Sequence, residues 1–270
     1  MPYPIVDMHA HLRDDITYHT KIAKENGVDV VVYMANSDPP LDNIDAIKKS
    51  LAEKRYCKAF PVSAITKNLE GRKLVDIDGI RKYVVGFSDD GNYLEDLGLL
   101  REALAKDVLV MSHCSPPYEL GIEEPLLETR YIERYLNVLA QNSGRLHIQH
   151  VSQASSVDLI REAKKNLIFT CETCPHYFSY PRNAFNIIVN PPLGSYKDIS
   201  AVQEGLADGT IDVIASDYAP QPRKTGIDDY PSFLRLSSRL VSKGILSKEQ
   251  LKDKLSTNPM RILNIERLLG

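Results

Sequence analysis

Short runs of β-branched and apolar residues alternate along the chain with longer segments in which apolar side chains recur every three or four positions. The short runs are typical of buried parallel strands, and the longer segments are typical of helices with one apolar face. The eight strand-like runs are Pro4–His11, Val28–Met34, Cys57–Ile65, Tyr83–Asp89, Val108–His113, Arg145–Val151, Leu167–Glu172 and Asp212–Asp217. Eight strands joined by helical crossovers predict an α/β fold, a closed (β/α)8 TIM barrel.

Length and charge narrow the class of protein further. The 270 residues fit one barrel, so we expect residues 1–270 to form a single domain. No GxGxxG or GxxxxGKS segment follows a predicted strand, which argues against a nucleotide-phosphate site. The net charge of -3 is spread without a long run of one sign, so we expect neither a nucleic-acid nor a membrane partner. The N-terminus lacks the pattern of a signal peptide, which predicts a cytoplasmic protein acting on a small molecule.

Histidine and aspartate residues fall where predicted strands end, which is where a barrel presents its reactive groups. His9 and His11 are two residues apart, so the strand period places both imidazoles on one side. The other residues at strand ends are Asp89, Asp90, His113, His150 and Asp217. Imidazole and carboxylate donors suit zinc and similar divalent ions. The sequence therefore predicts a metal-dependent catalytic site at one mouth of the barrel.

Other histidines and cysteines have competing explanations. His147 lies three residues before His150, so strand parity predicts that it faces the opposite side and packs or hydrogen-bonds outward. His176 fits a site residue and a structural residue equally. Cys171 and Cys174 form a CxxC without the second pair that a zinc knuckle needs, so we interpret them as structural.

The order of the motifs resembles that of the dihydroorotases, a branch of the amidohydrolase superfamily. Val6–Arg13 resembles the DxHxHxR opening of that family. Phe87–Gly91 resembles the FSDDG element of its bacterial-type branch, in which the second aspartate, here Asp90, binds metal. The other matching segments are Met34–Pro39, Ser112–Cys114, His150–Ser152, Cys171–His176, Asn190–Leu193, Ile214–Gln221 and Asn258–Met260. Together the motifs span nearly the whole chain.

The resemblance implies reversible hydrolysis of the cyclic amide of dihydroorotate to N-carbamoyl-aspartate, a step of pyrimidine biosynthesis, with one or two zinc ions per chain. The implied metal ligands are His9, His11, Asp90, His113, His150 and Asp217. Asp217 is also the implied catalytic acid and base. The implied substrate-binding residues are Arg13, Asn36, Asn190 and Gln221.

Departures from the family pattern concern the substrate pocket and the chain ends. The first metal motif begins at His9 and the chain stops soon after its last motif, so we expect a barrel without the family's accessory β-sandwich. Tyr218 and Gln221 stand where the family has histidines, Gly194 where it has arginine, and Ser115 where it has glutamate. These changes leave open another cyclic amidohydrolase, of the hydantoinase or allantoinase kind, and a non-catalytic dihydroorotase-like partner protein. A homodimer and an association with aspartate transcarbamoylase also stay open.

Overall fold

Eight parallel strands form one sheet in which each strand pairs with the next one along the chain. The computed structural model describes residues 1–13, 15–115, 127–182, 184, 188–220 and 230–265. The strands are β1 (Val6–Ala10), β2 (Val30–Tyr33), β3 (Lys58–Ser63), β4 (Gly86–Phe87), β5 (Leu109–Ser112), β6 (Arg145–Ile148), β7 (Thr170–Thr173) and β8 (Val213–Ile214). Each lies within its predicted run, except that β7 extends one residue further. The prediction of a (β/α)8 barrel is confirmed.

Helices connect the strands and cover the outside of the sheet. They are α1 (Ile16–Glu25), α2 (Ile44–Ala52), α3 (Ile77–Ile80), α4 (Leu97–Leu104), α5 (Leu127–Ala140), α6 (Ala154–Ala163), α7 (Tyr196–Asp208), α8 (Tyr230–Ser242), α9 (Lys248–Lys252) and α10 (Asn258–Leu263). A π-helical turn, Asp253–Thr257, joins α9 to α10. In the part of the chain that the structure describes, no helix has the length and apolarity needed to cross a bilayer.

The two ends of the sheet meet beside the predicted metal ligands. Ala10 forms a parallel bridge with Tyr218. The backbone N–H of His11 donates to the carbonyl of Tyr218 at 2.7 Å, and that of Asp217 donates to the carbonyl of His9 at 3.0 Å. These bonds close the barrel and fix the first and last strands relative to each other.

The core has two layers because successive strand residues point to opposite faces of the sheet. The interior cluster includes Val6, Met111 and Val213, and a larger cluster lies between the strands and the helices. Ile262 of α10 joins the interior cluster, and its carbonyl accepts a bond from Arg145, the first residue of β6. α10 therefore covers the amino-terminal end of the barrel and leaves the carboxyl ends of the strands for the site.

A buried carboxylate supports the closure. Asp7 on β1 is fully buried, and it accepts bonds from the backbone N–H of Ser216 at 2.8 Å, the Ser216 hydroxyl at 2.5 Å and the Tyr230 hydroxyl at 2.7 Å. The Ser216 hydroxyl also accepts from the backbone N–H of Tyr218. A buried carboxylate is costly without such donors, so Ser216 couples β1 to the chain that follows β8.

We predict that Ser216→Ala lowers the free energy of unfolding by about 1–3 kcal/mol, because Asp7 and the Tyr218 N–H each lose a buried partner. Urea denaturation measures the change. The control is Ser242→Ala, which removes an exposed hydroxyl whose partner among the described residues is the carbonyl of Arg239 and should shift stability by less than about 0.5 kcal/mol. Equal stability of the two variants would contradict this role of Ser216.

Candidate active site

The carboxylate of Asp90, three residues after β4, is buried among four imidazoles. Its Oδ2 lies 3.2 Å from Nε2 of His11 and 3.4 Å from Nε2 of His9. Its Oδ1 lies 3.3 Å from Nδ1 of His113 and 3.6 Å from Nε2 of His150. Burial raises the pKa of Asp90, but the charge of His9 and the close approach of the surrounding imidazoles outweigh it and hold the pKa well below its usual value. Each oxygen of an ionised carboxylate therefore faces one pair of imidazoles.

This arrangement creates two groups of ligand atoms that share Asp90. One group is His9, His11 and Asp90, the other is Asp90, His113 and His150, and the atoms within each group lie within 4.8 Å of one another. Nε2 of His9 and Oδ1 of Asp90 are buried without a hydrogen-bond partner among the described residues. Unpaired buried polar atoms are costly unless a ligand satisfies them. Imidazole nitrogens and carboxylate oxygens are ligands that divalent cations such as zinc bind. A cation bound here would also satisfy the two unpaired atoms.

The neighbouring aspartate, Asp89, faces away from the imidazoles. Its Oδ1 accepts from the backbone N–H groups of Ile65 and Thr66 at 2.8 and 3.0 Å, and its Oδ2 accepts from the Thr66 hydroxyl at 2.5 Å. Asp89 thus anchors the chain after β3. Of the two adjacent carboxylates, the structure brings only Asp90 to the histidines.

Asp217, three residues after β8, lies next to the first ligand group. Its Oδ1 is 3.2 Å from Nε2 of His11 and 3.7 Å from Nε2 of His9. Burial raises the pKa of Asp217, but the hydrogen bond from His11 and the charge of His9 outweigh it and bring the pKa to about 2. Its side chain is 12% exposed, so an ionised carboxylate borders both the ligand group and the open mouth of the barrel.

Three residues of the predicted site have backbone conformations that side chains rarely adopt. The φ angles are +41° for Arg13, +36° for His150 and +50° for Asp217. Non-glycine residues in this region are uncommon and strained, and such strain tends to occur at functional sites where the surroundings impose it. At these strand ends the two-residue period of a strand no longer decides where a side chain points.

The outward orientation predicted for His147 is wrong. His147 pairs in register with Met111, an interior residue, and is fully buried. Its Nε2 lies 3.1 Å from Oε2 of Glu172, and its Nδ1 lies 2.7 Å from the hydroxyl of Thr170. The prediction failed because the parity count assumed an extended chain up to His150, whereas β6 ends at Ile148.

Glu172 is a site residue that the sequence reasoning did not single out. It is fully buried on β7, and its Oε1 lies 2.6 Å from Nδ1 of His9. This contact leaves Nε2 of His9 facing Asp90. The sequence did offer a signal for Glu172, namely a charged residue inside a strand predicted to be buried. Because buried charges are almost always paired, such a residue indicates a charged or hydrogen-bonding partner nearby.

The predicted substrate-binding asparagines contact histidines of the ligand groups. Oδ1 of Asn36 lies 2.8 Å from Nδ1 of His11, and Nδ2 of Asn190 lies 3.1 Å from Nε2 of His113. Oδ1 of Asn190 accepts from the Ser115 hydroxyl at 2.8 Å. The structure therefore places Asn36 and Asn190 at the two edges of the imidazole cluster.

The remaining substrate contacts lie around the residues after β8. The Arg13 guanidinium donates to the carbonyl of Pro220 at 3.2 Å, while Gln221 lies outside the described residues. Tyr218 directs its hydroxyl to Nδ1 of His19, at 3.0 Å, and packs against the ring of Tyr230. The tyrosine at this position is thus part of a contact between α1 and α8.

His176 lies on the other side of Asp217 from the first ligand group. Its Nε2 is 4.0 Å from Oδ2 of Asp217 and has no hydrogen-bond partner among the described residues, although the side chain is buried. Burial lowers the pKa of His176 to about 4, so the imidazole is neutral. Of the two cysteines of the CxxC, Cys171 bonds to the carbonyl of Thr210 and Cys174 lies near His176.

Comparisons with known proteins agree on the fold and give the family. No family model matches the chain. An L-hydantoinase (dihydropyrimidinase) from Arthrobacter aurescens superposes with a TM-score of 0.82 at 20% identity, covering 98% of this chain and 71% of that protein. The inactive dihydroorotase-like domain of the Chaetomium thermophilum CAD-like multifunctional protein gives a TM-score of 0.73 at 18% identity, covering 97% and 79%. At these identities the likenesses show a shared fold.

A closer relative extends the likeness from fold to family. The dihydroorotase of Syntrophus aciditrophicus is 34% identical over 311 aligned residues, which cover 97% of this chain and 73% of the relative. The alignment is longer than the 270 residues of the chain, so the relative carries additional residues inside the matched region. Nearly the whole chain takes part in the match, and it belongs to the dihydroorotase family.

Proposed function

We propose that the chain is a dihydroorotase, which reversibly hydrolyses the cyclic amide of dihydroorotate to N-carbamoyl-aspartate. The observation that carries the proposal is the pair of ligand groups that share Asp90, in a chain that belongs to this family. A bridged set of imidazole and carboxylate donors beside an ionised aspartate is equipped for metal-assisted opening of an amide.

We assign the metal to the residues that surround Asp90. The residues that would hold it are His9, His11, Asp90, His113, His150 and Asp217. Zinc, at one or two ions per chain, is the metal that these donors suit. When bound, the metal would polarise the amide carbonyl and lower the pKa of water toward neutrality.

Asp217 is the proposed catalytic acid and base. With a pKa of about 2, its carboxylate is ionised at neutral pH and can accept the proton of the attacking water. The protonated acid then delivers that proton to the ring nitrogen as the amide bond breaks. The bond from the backbone of Asp217 to His9 keeps the carboxylate at the ligand group during both transfers.

Arg13, Asn36, Asn190 and Gln221 are the proposed substrate contacts. A guanidinium has five N–H donors in a fixed geometry that matches a carboxylate, and dihydroorotate carries one. The bond to Pro220 uses one Arg13 donor and holds the guanidinium near the end of β8. Asn36 and Asn190 can offer amide groups to the substrate from opposite edges of the imidazole cluster.

A ring without a carboxylate, such as hydantoin or allantoin, is the second candidate because the pocket differs from the family pattern. A Cβ at Gly194 would lie 2.6 Å from Cβ of Asp198, whose carboxylate caps the start of α7 with Ser195. An arginine at position 194 would therefore displace this cap. The retained ligand groups argue against the third candidate, a non-catalytic partner protein, since a scaffold has no use for them.

The metabolic pathway, the cellular compartment and the assembly of the chain are part of the same proposal. The reaction would serve pyrimidine biosynthesis in the cytoplasm, and Cys57, Cys114, Cys171 and Cys174 are free thiols, as a reducing compartment favours. We also propose that residues 1–270 form one barrel domain. Assembly as a homodimer or with aspartate transcarbamoylase is the further proposal that the resemblance to the family supports.

We predict that Asp90→Asn abolishes stable metal binding, because the amide removes the negative charge that both ligand groups share. Elemental analysis should find less than about a tenth of the wild-type metal content. The matched control is Asp89→Asn, which alters the adjacent carboxylate and weakens its bonds to Thr66, so it should lower stability but retain the metal. Full metal content in Asp90→Asn would exclude the proposed centre.

We predict that Asp217→Asn lowers kcat for dihydroorotate at least about a hundredfold, the usual scale for the loss of a general acid and base, while the fold is preserved. Steady-state assays and circular dichroism measure the two quantities. Asp212→Asn serves as the control, since Asp212 pairs with Lys164 at the amino-terminal end of β8. Near-normal kcat in Asp217→Asn would remove its assigned role.

We predict that Arg13→Met lowers kcat/KM for dihydroorotate by roughly 30- to 1000-fold, because a bidentate bond to the substrate carboxylate is lost. The values of kcat/KM for hydantoin, dihydrouracil and allantoin should fall far less, because these rings lack that carboxylate. Ring opening is followed by ultraviolet absorbance with metal-loaded protein. Preference for an uncharged ring in the wild type, or an unchanged rate for dihydroorotate in Arg13→Met, would favour the second candidate.

A further inference from the structure

The second oxygen of Asp217 belongs to a separate group of metal-ligating atoms. Oδ1 faces His9 and His11, whereas Oδ2 faces His176. Sγ of Cys174, a ring nitrogen of His176 and a carboxylate oxygen of Asp217 all lie within 4.8 Å of one another. Asp217 is thus positioned between the first ligand group and a sulfur-containing one.

The ligand atoms of this group, all within 4.8 Å of one another, can be compared with those of a tetrahedral site. Zinc binds sulfur at about 2.3 Å and nitrogen or oxygen at about 2.0–2.2 Å, so neighbouring ligand atoms lie about 3.3–3.8 Å apart. Nε2 of His176 and Oδ2 of Asp217, which lie 4.0 Å apart, would have to approach each other by about half an ångström to reach that spacing. The set is an incomplete coordination sphere that leaves one position for water.

The chemistry of the three side chains selects a thiophilic cation. Cys174 is fully buried, and His176, two residues later, is 3% exposed with Nε2 unpartnered among the described residues. The turn after β7 brings the two together, since the N–H of Tyr177 bonds back to the carbonyl of Cys174. Thiolate and imidazole together favour zinc or cadmium over magnesium or calcium.

We propose that Cys174, His176 and Asp217 form an additional, inhibitory site for a thiophilic divalent cation, distinct from the two groups around Asp90. On binding, the Cys174 thiol releases its proton to water and the sulfur bonds to the cation. The cation occupies Oδ2 of Asp217 and draws the carboxylate away from its proton-transfer position. The inhibition rests on the proposed function, whereas the binding does not.

Cadmium binding to the metal-loaded protein tests the site directly. Titration with Cd²⁺ should produce a thiolate-to-cadmium charge-transfer absorption in the ultraviolet that saturates at about one added equivalent for this site. Cys174→Ala and His176→Gln should each lose this component. Cys171→Ala is the matched control, because Cys171 is an equally buried cysteine of the same CxxC and bonds to Thr210 instead; it should retain the signal.

Several results would overturn the proposal. The first is that the wild type shows no charge-transfer absorption. The second is that the absorption persists in Cys174→Ala or in His176→Gln. The third is that Cys171→Ala loses it. Circular dichroism of each variant ensures that a lost signal reports a lost ligand in a folded protein.

Excess zinc tests the inhibition. At free zinc about ten times the Kd of the site, turnover of dihydroorotate by the wild type should fall about tenfold, because only about a tenth of the chains keep the site open. The ratio of rates with and without excess zinc should return to near one in Cys174→Ala and stay low in Cys171→Ala. If the wild type turns over dihydroorotate but shows no cadmium absorption, the inhibitory site is wrong and the proposed function stands. If the cadmium absorption follows the expected pattern but dihydroorotate is not turned over, the proposed function is wrong and the cation site stands.

Discussion

The placement of one buried carboxylate among four imidazoles is the constraint on which the site depends. The oxygens of Asp90 face His9 and His11 on one side and His113 and His150 on the other. These residues come from the ends of β1, β4, β5 and β6, so they meet only when the sheet curves into a barrel. A charge buried this deeply must be compensated by its neighbours, and the same atoms that compensate it are those that a divalent cation would use.

Three of the four imidazoles are held by a contact to the ring nitrogen that faces away from Asp90. Nδ1 of His9 contacts Glu172, Nδ1 of His11 contacts Asn36 and Nε2 of His113 contacts Asn190. Such contacts fix the orientation and tautomer of a metal-ligating histidine. Of these three contacts, only that of His9 is to a carboxylate, and the negative charge of Glu172 makes the His9 ring the more basic ligand. The asparagines thereby have a structural contact in the site besides the substrate role proposed for them.

Most of the fold and the set of converging residues could be predicted from the sequence, because strand runs and histidines at their ends are local patterns. The strand period failed for His147, since the chain leaves the extended conformation between Ile148 and His150. Glu172 and its contact to His9 join residues 163 positions apart, and no local pattern encodes that distance. The choice of Asp90 over Asp89 came from the family motif, and its physical reason, the bonds that Asp89 makes to the chain after β3, appears only in the folded protein.

The central claim is the proposal that Asp90 and the imidazoles around it hold one or two divalent cations in one catalytic centre. Anomalous X-ray diffraction from crystals of the zinc-loaded protein, recorded on both sides of the zinc absorption edge, tests it most directly. The account predicts at least one anomalous peak next to the Asp90 carboxylate, beside His9 and His11, beside His113 and His150, or at both positions. No peak next to Asp90 in zinc-loaded crystals would contradict it.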